Sequence, residues 1–107
     1  MSDEPTEIWQ DGTKVWRNSE GLIHRDGDLP AKIKSNGWCE WWVNGLRHRD
    51  NDLPAQIYSY NFCRWYQNGE FIKARECTKK EAEEYRKPYY QQKKLTKFNR
   101  FENLIKE

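Results

Sequence analysis

Ala31-Lys32-Ile33-Lys34 alternates small or apolar residues with charged ones, and Trp38–Val43 is dense in aromatic and β-preferring types. Between them stands Ser35-Asn36-Gly37, a turn signal. The pattern predicts a β-hairpin, and pairing selects its turn length. A two-residue turn would set Ile33 against Glu40. A three-residue turn with Gly37 left-handed sets Ile33 against Cys39, Ala31 against Trp41, and Lys32 against Glu40. The second register pairs apolar with apolar and joins opposite charges, so it is the one expected.

The same pattern returns 24 residues later. Ala31, Ile33, Ser35, Cys39, Trp41, Asn44 and Gly45 recur as Ala55, Ile57, Ser59, Cys63, Trp65, Asn68 and Gly69. An earlier unit places Ile8, Gly12 and Trp16 at the positions of Ile33, Gly37 and Trp41, with one extra residue before Gly21. The third unit decays after Gly69, as terminal repeats do when they have no further neighbour to pack on. The fold expected is mainly β: an antiparallel meander of about three repeated hairpins over residues 1–77, followed by a helical segment over 78–107. Strand alternation puts Leu29, Ala31, Ile33, Cys39, Trp41 and their equivalents on a core face. The other face carries Trp38, Trp42, Tyr58, Phe62, Arg64 and Tyr66 among Lys34 and Asn44, and these six are the candidate partner-binding residues.

Units are joined by an octet, "HRDGDLPA" from His24 and "HRDNDLPA" from His48. Each residue suits a connection. Asp26–Asp28 and Asp50–Asp52 favour turns, and Pro30 and Pro54 mark strand starts because proline cannot donate to a ladder. Arg25 and Arg49 have nearby carboxylates, and His24 and His48 can bond the turn. A catalytic reading is weaker. The kinase loop that begins His-Arg-Asp needs an Asn five residues after the Asp, where positions 31 and 55 are Ala. His24 with Asp28 offers acid–base groups, yet an identical set recurs at His48, and active sites are normally single. No enzyme is expected.

The spacing W-x-x-N-G-x-x-H-R-x-x-x-x-P-A, carried by Trp42–Arg49 and by Leu53-Pro54-Ala55, resembles the MORN-like repeats of giant DNA viruses and bacteriophages. Parent MORN units have a Gly-rich step where this chain has His-Arg-Asp, so the likeness is to the variant class, and it covers about residues 8–73. It implies an elongated hairpin meander with a non-enzymatic interaction or scaffolding role. It further implies a small viral or phage accessory protein that binds and inhibits a host protein, including defence factors. MORN repeats are also linked to membrane association and dimerisation.

The C-terminal segment differs in kind. Thr78-x-x-Glu81 is a capping box, so a helix is expected from Lys79, stopped or kinked by Pro88. A second helix from about Tyr89 would align Leu95, Phe98, Phe101 or Glu102, and Ile105. Lys93, Lys94, Lys97 and Arg100 fall largely off that stripe and are candidate nucleic-acid contacts. This helix either packs on the aromatic sheet face or docks a partner.

Charge sharpens the division. Residues 1–77 hold 10 Lys/Arg and 12 Asp/Glu, whereas 78–107 hold 9 and 5. A third of the chain is charged, which alone would suggest disorder. Six Trp, six Tyr and four Phe argue for a folded, aromatic core instead. Three cysteines, an odd number, fit a reducing compartment. Cys39 and Cys63 would lie two strands apart, about 9.5 Å, too far for a disulfide. They are expected as buried free thiols. No C-x-x-C pair suggests zinc, and no cofactor or metal is expected. The acidic start lacks the layout of a secretory signal and no apolar run is long enough to span a bilayer, so a cytoplasmic location is expected. Three functions stay open, in this order: protein binding; nucleic-acid binding through the basic tail and aromatics that stack bases; and membrane-surface association.

Overall fold

The computed structural model describes residues 4–89. It is mainly β. Seven strands form one antiparallel sheet in the order β1 (Glu7–Ile8), β2 (Lys14–Val15), β3 (Lys32–Ile33), β4 (Cys39–Glu40), β7 (Gln56–Ile57), β8 (Phe62–Gln67), β9 (Glu70–Glu76). Two further strands, β5 (Trp42–Val43) and β6 (Leu46–Arg47), pair with each other outside it. The sheet is a meander with β5–β6 as an excursion between its fourth and fifth members.

The expected registers are present. Lys32 faces Glu40 and Ile33 faces Cys39, while Gln56 faces Arg64 and Ile57 faces Cys63. Lys34 N–H donates to the Trp38 carbonyl at 2.9 Å, which leaves Ser35-Asn36-Gly37 as the turn. Gly37 has φ +93°, and Asn61 takes the equivalent position at +61°. Asn is the residue after Gly that best tolerates the left-handed region. The charge pairing expected of this register is not what holds it. The Lys32 ammonium lies 4.8 Å from the centre of the Trp9 ring, and the Glu40 carboxylate turns to indoles.

Each unit also makes a second, smaller hairpin, which the sequence reading left out. Asn44 and Gly45 have φ of +49° and +82°, and Asn68 and Gly69 of +49° and +86°. Two consecutive left-handed residues make the tight turn whose twist suits a two-residue hairpin. In the first unit the extra residue converts this turn to a three-residue one. Asn18 N–H bonds the Leu22 carbonyl, and Gly21 is left-handed at +82°. The octet therefore leaves the return arm of the small hairpin, not the second strand of the large one. In the third unit Ile72-Lys73-Ala74 replaces the octet, so the chain runs straight on. β9 pairs along the whole of β8, from Gln67↔Glu70 to Phe62↔Glu76, and is exposed throughout.

Val15, Ala31, Ile33, Cys39, Trp41, Ala55, Ile57, Cys63 and Trp65 are buried. Leu29 and Leu53 are only half-buried, because Pro30 and Pro54 take the interior beside them. The first unit frays at the sheet edge, and Ile8 and Trp9 are exposed. Cys39 and Cys63 flank β7, two strands apart as expected. The helix α1 (Lys79–Tyr85) starts at the expected box: Thr78 Oγ1 accepts from the Glu81 N–H, and Glu81 accepts from the Thr78 N–H. It packs on the core face through Ala82, and Tyr85 meets Trp65 edge-to-face at 6.0 Å. Arg86, itself buried, caps the helix and donates to the Tyr58 carbonyl at 2.9 Å. The helix regularity breaks at Arg86, two residues before Pro88. Of the second helix expected from about Tyr89, Tyr89 itself packs against the core cluster, and Lys93, Lys94, Leu95, Lys97, Phe98, Arg100 and Ile105 lie outside the described residues.

Candidate interaction surface

The octets resolve into a fastening used twice. In each, the two residues after the first Asp are both left-handed: Gly27 (+77°) with Asp28 (+55°), and Asn51 (+64°) with Asp52 (+56°). The one position at which the copies differ is thus filled by the two residue types that enter this region most readily. His24 Nδ1 accepts the Asn44 N–H at 3.0 Å, and His48 Nδ1 accepts the Asn68 N–H at 3.0 Å. A backbone amide can only donate, so Nδ1 is unprotonated and Nε2 carries the hydrogen. Nε2 gives it to Asp26 or Asp50, each at 2.8 Å. Every histidine staples its own unit to the Asn-Gly turn of the next, and both ring nitrogens are occupied. Asp28, the sequence-level acid–base partner of His24, is committed elsewhere. It receives Arg49 Nε at 2.8 Å and Nη2 at 3.3 Å.

Arginine and tryptophan interlock across the same junction. Arg25 lies 3.9 Å from the centre of the Trp16 ring and Arg49 3.9 Å from that of Trp41. Each donates to the carbonyl of its own octet proline, Pro30 or Pro54. The next unit's indole N–H caps the octet in turn: Trp41 donates to the Asp28 carbonyl at 3.0 Å and Trp65 to that of Asp52 at 2.9 Å. Burying a guanidinium is tolerable only with such a set of acceptors and a ring face. In the decayed third unit Lys73 stands where the arginine stood. It lies 4.9 Å from the Trp65 ring centre and 3.5 Å from Asp52, so both contacts survive.

The second sheet face carries the six candidate partner residues and divides them into two groups. At the turn end, Trp38 meets Tyr58 edge-on at 4.1 Å, and Tyr58 stacks with Phe62 at 5.8 Å and with Tyr60 at 5.6 Å. Lys34 sits over Trp38, and Arg64 over Tyr58 and Phe62. Burial pushes the Tyr58 hydroxyl above its ordinary pKa. At the other end, Arg47 lies between Trp42 and Tyr66, 4.9 and 5.4 Å from their ring centres, and Tyr66 meets Phe71 at 5.7 Å. Glu40, only 3% exposed, joins the groups. Its carboxylate accepts from Trp38 Nε1 (2.9 Å), Trp42 Nε1 (2.9 Å) and Gln56 Nε2 (2.8 Å).

This layer is more filled than the sequence suggests. Tyr58 and Tyr66 are buried, and Trp38, Trp42, Phe62 and Arg64 half-buried. Helix α1 lies on the opposite face, so it does not cover these residues. What is bare lies at the margins. Tyr60 is 71% exposed at the turn end. Along the small hairpins, Leu22, Val43, Leu46, Phe71 and Ile72 are exposed. Leu22, Val43 and Leu46 form a stepped row: Val43 pairs with Leu46, and Leu22 lies against Gly45 and Leu46 against Gly69, where a β-carbon would meet them at 3.4 and 3.2 Å. Sequence reading missed this row because the Asn-Gly pairs were aligned as repeat markers and not read as turns. It missed Glu40 although a carboxylate with Trp two residues away on both sides must share their face.

No group of three or more metal-ligating side chains comes together among the described residues. No helix among them is long and apolar enough to cross a membrane. No protein-family model matches the chain, and no curated protein or solved structure is detectably similar to it.

Proposed function

We propose that the chain is a non-catalytic protein-binding module that engages its partner along the small-hairpin margin. The observation that carries this is the stepped apolar row of Leu22, Val43 and Leu46, together with exposed Phe71 and Ile72 on the last hairpin, where Phe71 meets Tyr66 of the Trp42–Arg47–Tyr66 stack. Exposed apolar groups set beside aromatic and guanidinium side chains have the composition of interface hot spots. Both histidines are spent on the fastening, which favours binding over acid–base chemistry. We read the repeat as the MORN-like variant class, and with it a viral accessory protein acting on a host factor in the host cytoplasm. Support for that step is the duplicated octet, each of whose residues has a duty in the repeat.

The test uses the intact chain as bait in host lysate, beside a Leu46→Ser/Phe71→Ser pair variant of unchanged melting temperature. A partner held in fixed stoichiometry by the wild type and lost from the variant supports the reading. Equal capture by both overturns it. Nucleic-acid binding is the second reading, favoured by the alternation of Lys34, Trp38, Tyr58, Phe62 and Arg64 with exposed Tyr60. Phosphate-driven binding weakens steeply with salt, whereas an apolar interface persists.

A further inference from the structure

Cys77 follows β9 and precedes the helix cap. Its N–H donates to the Asn61 carbonyl at 2.8 Å. Because Phe62 faces Glu76 and Cys63 faces Arg75, Cys77 is the diagonal neighbour of Cys63 on the same sheet face. The two sulfurs are 2.7 Å apart, with the Cys77 thiol directed at Cys63. We propose that Cys63 and Cys77 form a dithiol–disulfide exchange site for low-molecular-weight disulfides, with Cys77 as the attacking thiol and Cys63 as the resolving one.

Access and charge assign the roles. Cys77 is half-buried, whereas Cys63 is fully buried. Arg75 Nη1 donates to Cys77 Sγ at 3.7 Å, so a fixed cation stands beside the more accessible of the two sulfurs. Burial, and then the Cys77 sulfur beside it, push the Cys63 thiol well above its ordinary range, so it does not attack first. The Cys77 thiolate attacks one sulfur of the small disulfide. That S–S bond breaks, and one thiolate leaves and takes up a proton. The Cys63 thiol then gives up its proton and attacks Cys77 Sγ, which forms the Cys63–Cys77 bond and releases the second small thiol. The protein loses two protons and two electrons, and the small disulfide is reduced to two thiols. Cys39 has no place in the exchange, being two strands from Cys63 and fully buried. The new bond would tie the entry of α1 to the core strand β8, and Arg75, which also holds Glu81 and the Tyr85 hydroxyl, reports on that junction.

The full-length chain is equilibrated across a graded series of reduced and oxidised glutathione, quenched in acid, alkylated after denaturation, and weighed intact. The expected product has lost two protons and retains one alkylatable thiol. Peptide mapping should join Cys63 to Cys77 and place the alkyl group on Cys39. At early times a glutathione adduct should map to Cys77, and Cys63→Ala should hold that adduct stably. Cys77→Ser should show neither adduct nor proton loss. Arg75→Gln should slow adduct formation several-fold. Should Cys63→Ala fail to fold, the early-time map on the wild type decides the roles. Three alkylated cysteines across the whole series, a Cys39–Cys63 link, or a lasting Cys77 adduct in the wild type would each overturn the proposal.

Discussion

His48 illustrates how a residue that suggests chemistry can be spent on geometry. Its Nδ1 accepts the Asn68 amide and its Nε2 holds Asp50. His48→Ala is therefore expected to lower stability by about 1 kcal/mol, the net scale of a hydrogen bond whose exposed donor turns to water instead. Urea titration checks this, and an unchanged midpoint would refute the staple. At position 51 the backbone is left-handed, at +64°. Asn51→Gly should be close to neutral, whereas Asn51→Val should destabilise by roughly 1–3 kcal/mol, because a β-branched side chain is strained there. Thermal melts of the two variants compare them directly. That the octet is structural was legible in its duplication. The bonds themselves were not, because every staple reaches from one unit into the next, and local sequence names the donor types without naming the partner.

Among the elements, the hairpins were legible to the level of register, since only one pairing set Ile33 on Cys39 and Ile57 on Cys63. Faces were legible by alternation, but burial was not. Tyr66 reads as a surface aromatic and is instead 8% exposed, beneath Arg47 and Phe71. Trp41→Ala is expected to cost roughly 3–5 kcal/mol, the scale for emptying a large buried aromatic site. Loss of its indole bond to Asp28 and of the ring under Arg49 adds to the damage. Trp42→Ala should cost less, and near-wild-type melting of the Trp41 variant would invert the face assignment. Helix α1 carries its own pH response. Backbone bonding at Thr78, and then Arg75, holds the Glu81 carboxyl below its ordinary range. A lowered folded value means the support is present above the unfolded pKa of about 4.3 and fades as pH falls through the folded value. Amide protection at the start of α1, taken relative to the intrinsic exchange rate at each pH, should fall below about pH 4 in the wild type, and Glu81→Gln should abolish the dependence.

For the whole molecule, the repeat makes stability a nearest-neighbour property. Each octet binds its own unit and the next, and Arg49 reaches Asp28, Pro54 and the Tyr85 carbonyl, so Arg49→Leu should lower protection in β4, β7 and the start of α1 together. Hydrogen exchange resolved by peptide would show that joint loss. The strand order also fixes how the fold answers to load. Its first and last strands lie at opposite edges of the sheet, and successive strands are neighbours apart from the β5–β6 excursion. Tension applied through the two ends of the sheet therefore acts across the ladders and meets their hydrogen bonds one at a time. A chain held together by buried arginines and indoles would still unzip under small forces, peeling first from the short β1–β2 pair, and could be drawn out and rewound unit by unit.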